Sequence, residues 1–100
     1  MEYSNWVKGK REGEYKRYHP STKLAEEGQY KNGLRDGKVI HYYPNGNKSR
    51  IEQYKDGKKH GFWMEFDENG HQTNYKLYWD DVELKGEAKK KKEAELKAMR

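Results

Sequence analysis

Three glycines, Gly13, Gly37 and Gly61, are 24 residues apart, and this constant step constrains the fold more than any other feature of the sequence. A sequence period between about 20 and 50 residues is typical of units that must stack on their neighbours to bury an apolar face. The chain is therefore predicted to be built from repeats. Three further rows keep the same step: Tyr15, Val39 and Trp63; Tyr18, Tyr42 and Phe66; and Tyr30, Tyr54 and Tyr78.

Turn residues recur with the repeat and predict β-hairpins. Asn32-Gly33 and Asp56-Gly57 occupy matching positions, and Asn45-Gly46 matches Asn69-Gly70. Asn-Gly and Asp-Gly favour the tight type I′ turn, because both of its central residues need a positive φ. A further turn is predicted at residues 20–23. The expected strands cover residues 13–19, 24–31, 38–43, 48–55, 62–67 and 72–79.

The spacing of the aromatic residues leaves one point open. Tyr15 and Tyr18 are three residues apart, as are Trp63 and Phe66, whereas side chains on one face of a strand lie an even number of residues apart. Either a β-bulge re-aims the second ring, or both faces of the sheet carry aromatic side chains.

Both ends of the chain depart from the repeat. Residues 6–13 align with residues 30–37, so residues 1–12 are interpreted as an incomplete repeat whose first half is missing or frayed. After Trp79, Asp80-Asp81 replaces the Asn-Gly or Asp-Gly turn. We therefore predict a repeat domain over residues 1–84 and a separate tail over residues 85–100.

The tail is rich in good helix formers from Glu87 onward, so it is predicted to be a short helix. Ala88, Leu96 and Met99 give it only a weak apolar stripe. It holds seven Lys or Arg residues and three Glu residues, whereas the rest of the chain is nearly neutral. The net charge of +5 is therefore mainly a property of the tail.

The composition predicts a thin but ordered domain. Leu, Ile, Val and Phe are scarce, but aromatic residues make up 14% of the chain and occupy repeat positions, where each ring can bury a large area. Cysteine is absent, which is compatible with a reducing cytoplasm. Because there is no long apolar run, we expect neither a transmembrane helix nor a signal peptide.

No pattern in the sequence predicts catalysis. The four histidines show no metal-ligand spacing, and no phosphate-binding glycine loop is present. The adjacent pairs Glu26-Glu27 and Asp80-Asp81 are interpreted as solvated charge, because neighbouring side chains in a strand point apart. We expect a protein that is not an enzyme and that uses no metal or other cofactor.

The repeat unit of residues 54–70, which recurs over residues 30–46, resembles the MORN repeat and more closely its shorter variant in bacterial and phage proteins, including YwqK-type antitoxin-like proteins. The resemblance covers roughly residues 6–79. It implies an all-β fold in which successive antiparallel hairpins form one elongated sheet, to which the sequence adds the short C-terminal helix. It also implies a binding scaffold that serves many partners.

The first binding hypothesis is a protein partner, which the chain would bind through its aromatic face or an exposed sheet edge and would inhibit or regulate as an antitoxin or as a phage or bacterial regulator. Its predicted contacts are Tyr18, Tyr42 and Phe66 with the neighbouring Arg17 and His41, while the other two rows form the core. The alternative is nucleic acid or an anionic membrane, bound by the basic tail. The tail residues in question are Lys89, Lys90, Lys91 and Lys92.

Overall fold

The computed structural model describes residues 2–98, which form one open antiparallel sheet followed by a single helix. The domain measures 42 × 38 × 23 Å. Most strands pair with their neighbours in chain order, β1-β2-β3-β5-β6-β8-β9-β10, while β4 pairs with β3 and β7 with β6. The elements are β1 (Glu2–Val7), β2 (Lys10–Tyr18), β3 (Leu24–Lys31), β4 (Leu34–Arg35), β5 (Gly37–Tyr42), β6 (Lys48–Lys55), β7 (Lys58–Lys59), β8 (Gly61–Phe66), β9 (Gln72–Trp79), β10 (Val82–Leu84) and α1 (Gly86–Ala98).

The tight turns predicted at Asn32-Gly33 and Asp56-Gly57 are present, whereas at Asn45-Gly46 and Asn69-Gly70 only the glycine takes a positive φ. Asn32 and Gly33 have φ values of 53° and 82°, and Asp56 and Gly57 have values of 51° and 81°. Asp81, which stands where the earlier turns have glycine, also takes a positive φ of 69°. Asp tolerates this left-handed region better than most residues, so the last turn keeps its shape without glycine.

In the second and third repeats, the periodic glycine separates a short strand from a longer one, whereas Gly13 lies inside β2. Gly37 and Gly61 have φ values of 92° and 114°, and each lies where the chain passes from a two-residue strand to the next full strand. The predicted strands therefore match the longer elements closely. The strands β1, β4, β7 and β10 were not predicted.

A β-bulge recurs in every complete hairpin. The register shifts between Arg17 and Tyr18 because Tyr18 pairs with Leu24, and this leaves Ala25 as the extra residue of the return strand. Equivalent shifts leave Ser49 and Thr73 as the extra residues of β6 and β9. Because the extra residue lies in the return strand, β2 itself still alternates, and Tyr15 and Tyr18 lie on opposite faces.

The two faces of the sheet differ in their packing. The front face, defined by Tyr15, Val39 and Trp63, contains most of the buried side chains. Tyr15 packs directly over Gly28, where a Cβ atom would lie 2.8 Å from the Tyr15 ring. The predicted core row therefore lies on the front face, although Trp63 is only half-buried.

The back face, defined by Ile40, Met64 and Leu77, is covered at one end by α1. The Nζ atom of Lys89 lies 4.4 Å from the ring centroid of Tyr75, and the Nζ atom of Lys92 lies 4.2 Å from that of Trp79. Leu77 is completely buried. Of the predicted apolar stripe, Ala88 is exposed, Leu96 is half-buried and Met99 lies outside the described residues.

Candidate functional site

A buried carboxylate organises the front face between the first and second hairpins. Glu26 is only 5% exposed and accepts hydrogen bonds from the Tyr15 hydroxyl and, at 3.2 and 3.3 Å, from Arg17 and Arg35. Burial, followed by the hydrogen bond to Glu26, raises the pKa of Tyr15 above its usual value. The phenol therefore stays protonated and acts as a donor.

A second buried carboxylate continues this network into the next hairpin. Glu52 is 3% exposed and accepts hydrogen bonds from Arg50 at 3.2 Å and Tyr54 at 3.3 Å. His41 bridges the two acids, because its Nε2 lies 3.0 Å from Glu52 and its Nδ1 lies 3.4 Å from Glu26. Burial opposes ionisation of Glu52, but hydrogen bonds and charge from His41 and Arg50 outweigh it and lower the pKa of the carboxyl group.

Cations and aromatic rings alternate across the same face. The guanidinium carbon of Arg11 lies 5.1 Å from the Tyr30 ring centroid, and that of Arg35 lies 5.5 Å from the Tyr54 ring centroid. In the third repeat, the Nζ atom of Lys59 lies 5.0 Å from the Tyr78 ring centroid. These cation–π contacts keep the 24-residue step, so the same interaction recurs in each repeat along the front face.

The row of Tyr18, Tyr42 and Phe66 lies on the back face, at the end of the sheet next to the bulges. All three rings are half-buried. The Tyr42 hydroxyl donates to Glu27 at 2.8 Å, and burial followed by this bond raises the pKa of Tyr42 to about 12.

Two shallow grooves accompany this row of rings. One, of about 350 Å³, is lined by Tyr42 and Phe66 together with residues of the turns between them. The other, of about 320 Å³, lies beside Tyr18 and is closed by Pro20. Both grooves expose mainly apolar surface, so they can accept apolar side chains of a partner.

Comparison with families of known proteins matches residues 11–32 and 35–56 to the MORN repeat variant, and residues 4–14 and 53–62 to the MORN repeat. The two matches to the variant span the hairpins β2–β3 and β5–β6. The chain belongs to the MORN-repeat family. No curated protein sequence matches it. MORN repeats are commonly binding modules for proteins or membranes.

The MORN-repeat sheet divides the five predicted partner-binding residues between its two faces. Tyr18, Tyr42 and Phe66 form one row on the back face, whereas Arg17 and His41 are on the front face. There Arg17 and His41 contact Glu26, and His41 also contacts Glu52. One flat partner surface therefore reaches the three rings or the two basic residues, but not both sets.

The interpretation of Glu26-Glu27 as solvated charge is wrong for this MORN-repeat protein. The two side chains do point to opposite faces, but Glu26 is buried and Glu27 is half-buried against Tyr42. The error arose because the partners of Glu26 include Arg35 and His41, which belong to the next repeat. The basic row of Arg11, Arg35 and Lys59 was also missed, although its 24-residue step is visible in the sequence.

The basic tail of the MORN-repeat sheet is only partly available to a ligand. Lys89 and Lys92 lie over Tyr75 and Trp79, and Lys92 also pairs with Glu95 at 3.0 Å. Lys90 and Lys91 are exposed. Half of the predicted anion-binding run therefore packs against the sheet.

Neither a metal-binding cluster nor a membrane-spanning helix is found over residues 2–98. Within that range, no group of three or more His, Cys, Asp or Glu side chains is arranged to hold a metal ion. The single helix of the same range is neither long enough nor apolar enough to cross a membrane.

Proposed function

We propose that the chain is a non-catalytic binding module that engages a protein partner through the row of Tyr18, Tyr42 and Phe66, and that it regulates this partner. The observation that carries the proposal is the pair of apolar grooves beside these rings. Neighbouring hairpins repeat the rings two strands apart, which corresponds to about 10 Å. An extended or helical segment of a protein can place apolar side chains in both grooves.

The charge distribution favours a protein partner over a nucleic acid or an anionic membrane. On the front face, Arg17, Arg35 and Arg50 are paired with the buried acids Glu26 and Glu52. In the tail, Lys89 and Lys92 are occupied by aromatic rings of the sheet. These contacts reduce the cationic surface that phosphate groups would need.

Regulation of the partner by inhibition, as in an antitoxin or a phage or bacterial counter-defence protein, is the more specific form of this proposal. Its support is the likeness of the repeat unit to the YwqK-type proteins. A cytoplasmic location belongs to the same proposal and agrees with the absence of cysteine.

The test begins by isolating the partner from a native lysate and identifying it by mass spectrometry, after which affinities are measured with purified proteins. Tyr42→Ala is expected to weaken binding by about tenfold or more, because aromatic residues dominate such interfaces. Tyr42→Phe keeps the ring and removes only the hydroxyl bond to Glu27, so it serves as the matched control. The wild-type affinity should change little with salt, whereas binding to phosphate groups would fall steeply.

Two results would refute this assignment. Equal affinities of folded Tyr42→Ala and the wild type would remove the ring row from the interface. A steep fall of the wild-type affinity with salt, together with binding to nucleic acid or to anionic vesicles, would favour the tail instead.

A further inference from the structure

Successive hairpins of this sheet are joined along a short edge. Two residue pairs join β3 to β5, and two join β6 to β8. The corresponding positions of the last return strand, 24 residues further on, are Asn74 and Tyr75. Within residues 2–98, β9 pairs on this side only with β10, from Leu77 to Trp79, so the edge at Asn74 and Tyr75 is open.

The open edge exists because the chain changes conformation at this point. The residues that would continue the repeat opposite Tyr75 and Asn74 are Ala88 and Lys89, which lie in α1. The helix is instead held on the back face, where Tyr75 donates to Glu93 at 3.0 Å and Lys89 covers its ring. The place of the next strand is therefore vacant while the helix lies beside it.

The backbone at this edge is directed outward. The N–H group of Tyr75 donates to the side-chain oxygen of Asn74 at 2.9 Å, and so it is not used in pairing with β8. The Asn74 amide also donates to Glu65 at 3.1 Å, which holds it in place. Asn74 thus caps a donor that a paired strand would otherwise use.

The surroundings of the edge carry positive charge. Lys85, Lys90 and Lys91 are exposed on or next to α1, and Lys76 is half-buried in β9 itself. Of the nearby acids, Glu93 is bonded to Tyr75 and Glu95 to Lys92, while Glu87 is exposed and Glu83 of β10 is half-buried. The basic groups therefore outnumber the free acids, and charge complementarity favours an acidic ligand.

We propose that the open edge of β9, at Asn74 to Lys76, binds an extended acidic segment of another protein as an added antiparallel strand. Main-chain hydrogen bonds to Tyr75 hold the segment, and the lysines of α1 select its charge. Strand β8 shows the form of such a ligand, because it pairs with the equivalent edge of β6 and carries Glu65, followed by Asp67 and Glu68. This edge is distinct from the ring row, so the inference goes beyond the proposed function.

The direct test uses a fluorescently labelled peptide that copies residues 60–68 and measures its binding by anisotropy. A matched control peptide carries Glu65→Gln, Asp67→Asn and Glu68→Gln, which remove charge at constant shape. A second control has an N-methyl group on the residue that copies Met64, because the β6–β8 pairing predicts that this residue lies opposite Tyr75. We expect each change to weaken binding about tenfold or more, through lost charge attraction or lost main-chain bonds.

Variants of the protein locate the binding site. Asn74 is exposed, so Asn74→Ala should fold normally, and it should bind the acidic peptide several-fold more tightly because it frees the N–H group of Tyr75. Lys90→Glu combined with Lys91→Glu should weaken binding, whereas Tyr42→Ala should not change it. When the acidic peptide is added to the protein, the backbone amide resonance of Tyr75 in the NMR spectrum should shift.

Three outcomes would overturn the inference. The first is equal binding of the N-methylated peptide, which would indicate charge attraction without strand pairing. The second is unchanged or weaker binding by Asn74→Ala. The third is absence of binding by the acidic peptide at millimolar concentration.

Discussion

The hydroxyl of Tyr15 donates a hydrogen bond to the carboxylate of Glu26, and both side chains are almost fully buried in the front face. Glu26 is also contacted by Arg35 and His41 from the following hairpin. One residue therefore joins two repeats. Its removal should affect the whole sheet and not one hairpin alone.

Glu26→Ala is expected to lower the free energy of unfolding by about 2–4 kcal/mol. Breaking a buried ion pair leaves charge without its partner, and the Tyr15 hydroxyl loses its acceptor. Arg17 is about half exposed, which limits the loss, because water can solvate it. Urea unfolding measures the effect, and the exposed Glu14→Ala in the same hairpin is the control. Equal losses in both variants would show that the network contributes little.

Acid should weaken the sheet through Glu52. The pKa of this carboxyl group is lowered below 4.5 in the folded state, since His41 and Arg50 outweigh its burial. A carboxyl group with a lowered folded-state pKa stabilises the protein fully above its unfolded value of 4.5, and this contribution is lost as pH falls through the folded-state value.

Unfolding free energies measured from pH 7 to pH 3 test this expectation. Glu52→Gln should be less stable than the wild type at pH 7, and the difference should narrow below about pH 4.5. Parallel curves for the two proteins would mean that Glu52 does not couple folding to pH.

Gly37 and Gly61 allow backbone strain to be compared with steric crowding. Both glycines have a positive φ, but only at Gly61 would an added Cβ atom meet a neighbouring side chain. Both need a positive φ, so Gly37→Ala should destabilise the fold by roughly 1–3 kcal/mol. At Gly61 a Cβ atom would also displace the Gln53 amide, which accepts a hydrogen bond from the Phe62 N–H group at 2.7 Å. Gly61→Ala should therefore lose about 1 kcal/mol more. The melting temperatures of the two variants test this expectation. A variant that melts at the same temperature as the wild type would show that its glycine is not required for the positive φ.

Removing residues 87–100 should keep the β-sheet signal in circular dichroism and lower the melting temperature. The helix contacts Tyr75 and Trp79 but adds no strand to the sheet. Tryptophan emission should shift to the red, because Trp79 loses its cover. A truncation that removes only residues 98–100 is the control. Loss of the whole β signal would instead make α1 essential for folding.

The sequence left the cause of the three-residue aromatic offset open, but it predicted the long strands and the tight turns at Asn32-Gly33 and Asp56-Gly57. It could do so because turn residues such as Asn32-Gly33 act locally, and a fixed period repeats that local information. The offset remained ambiguous because the extra residue, such as Ala25, lies on the strand opposite the rings and carries no distinctive side chain.

The predicted site was less complete for a physical reason. Arg17 and Tyr18 are neighbours in sequence, yet alternation along the strand separates them onto two faces. The burial of Glu26 depends on residues of the next hairpin, and no local pattern reports such a contact. The packing of the helix on the sheet could not be predicted either. In the sequence, Lys89 and Lys92 are typical of solvated charge, and only the structure places them over the rings of Tyr75 and Trp79.

The ring of Tyr15 over Gly28 has a consequence for how this protein can change by recombination between its repeats. The residues opposite each other differ from one hairpin to the next: Tyr15 faces Gly28, Val39 faces Glu52, and Trp63 faces Lys76. An exchange that joined the first strand of the first hairpin to the return strand of the second would keep every turn, yet it would set the Tyr15 ring against Glu52, where Gly28 now leaves room. The two strands of the first hairpin can therefore be inherited together as a unit, whereas a crossover between them would have to accommodate the Tyr15 ring.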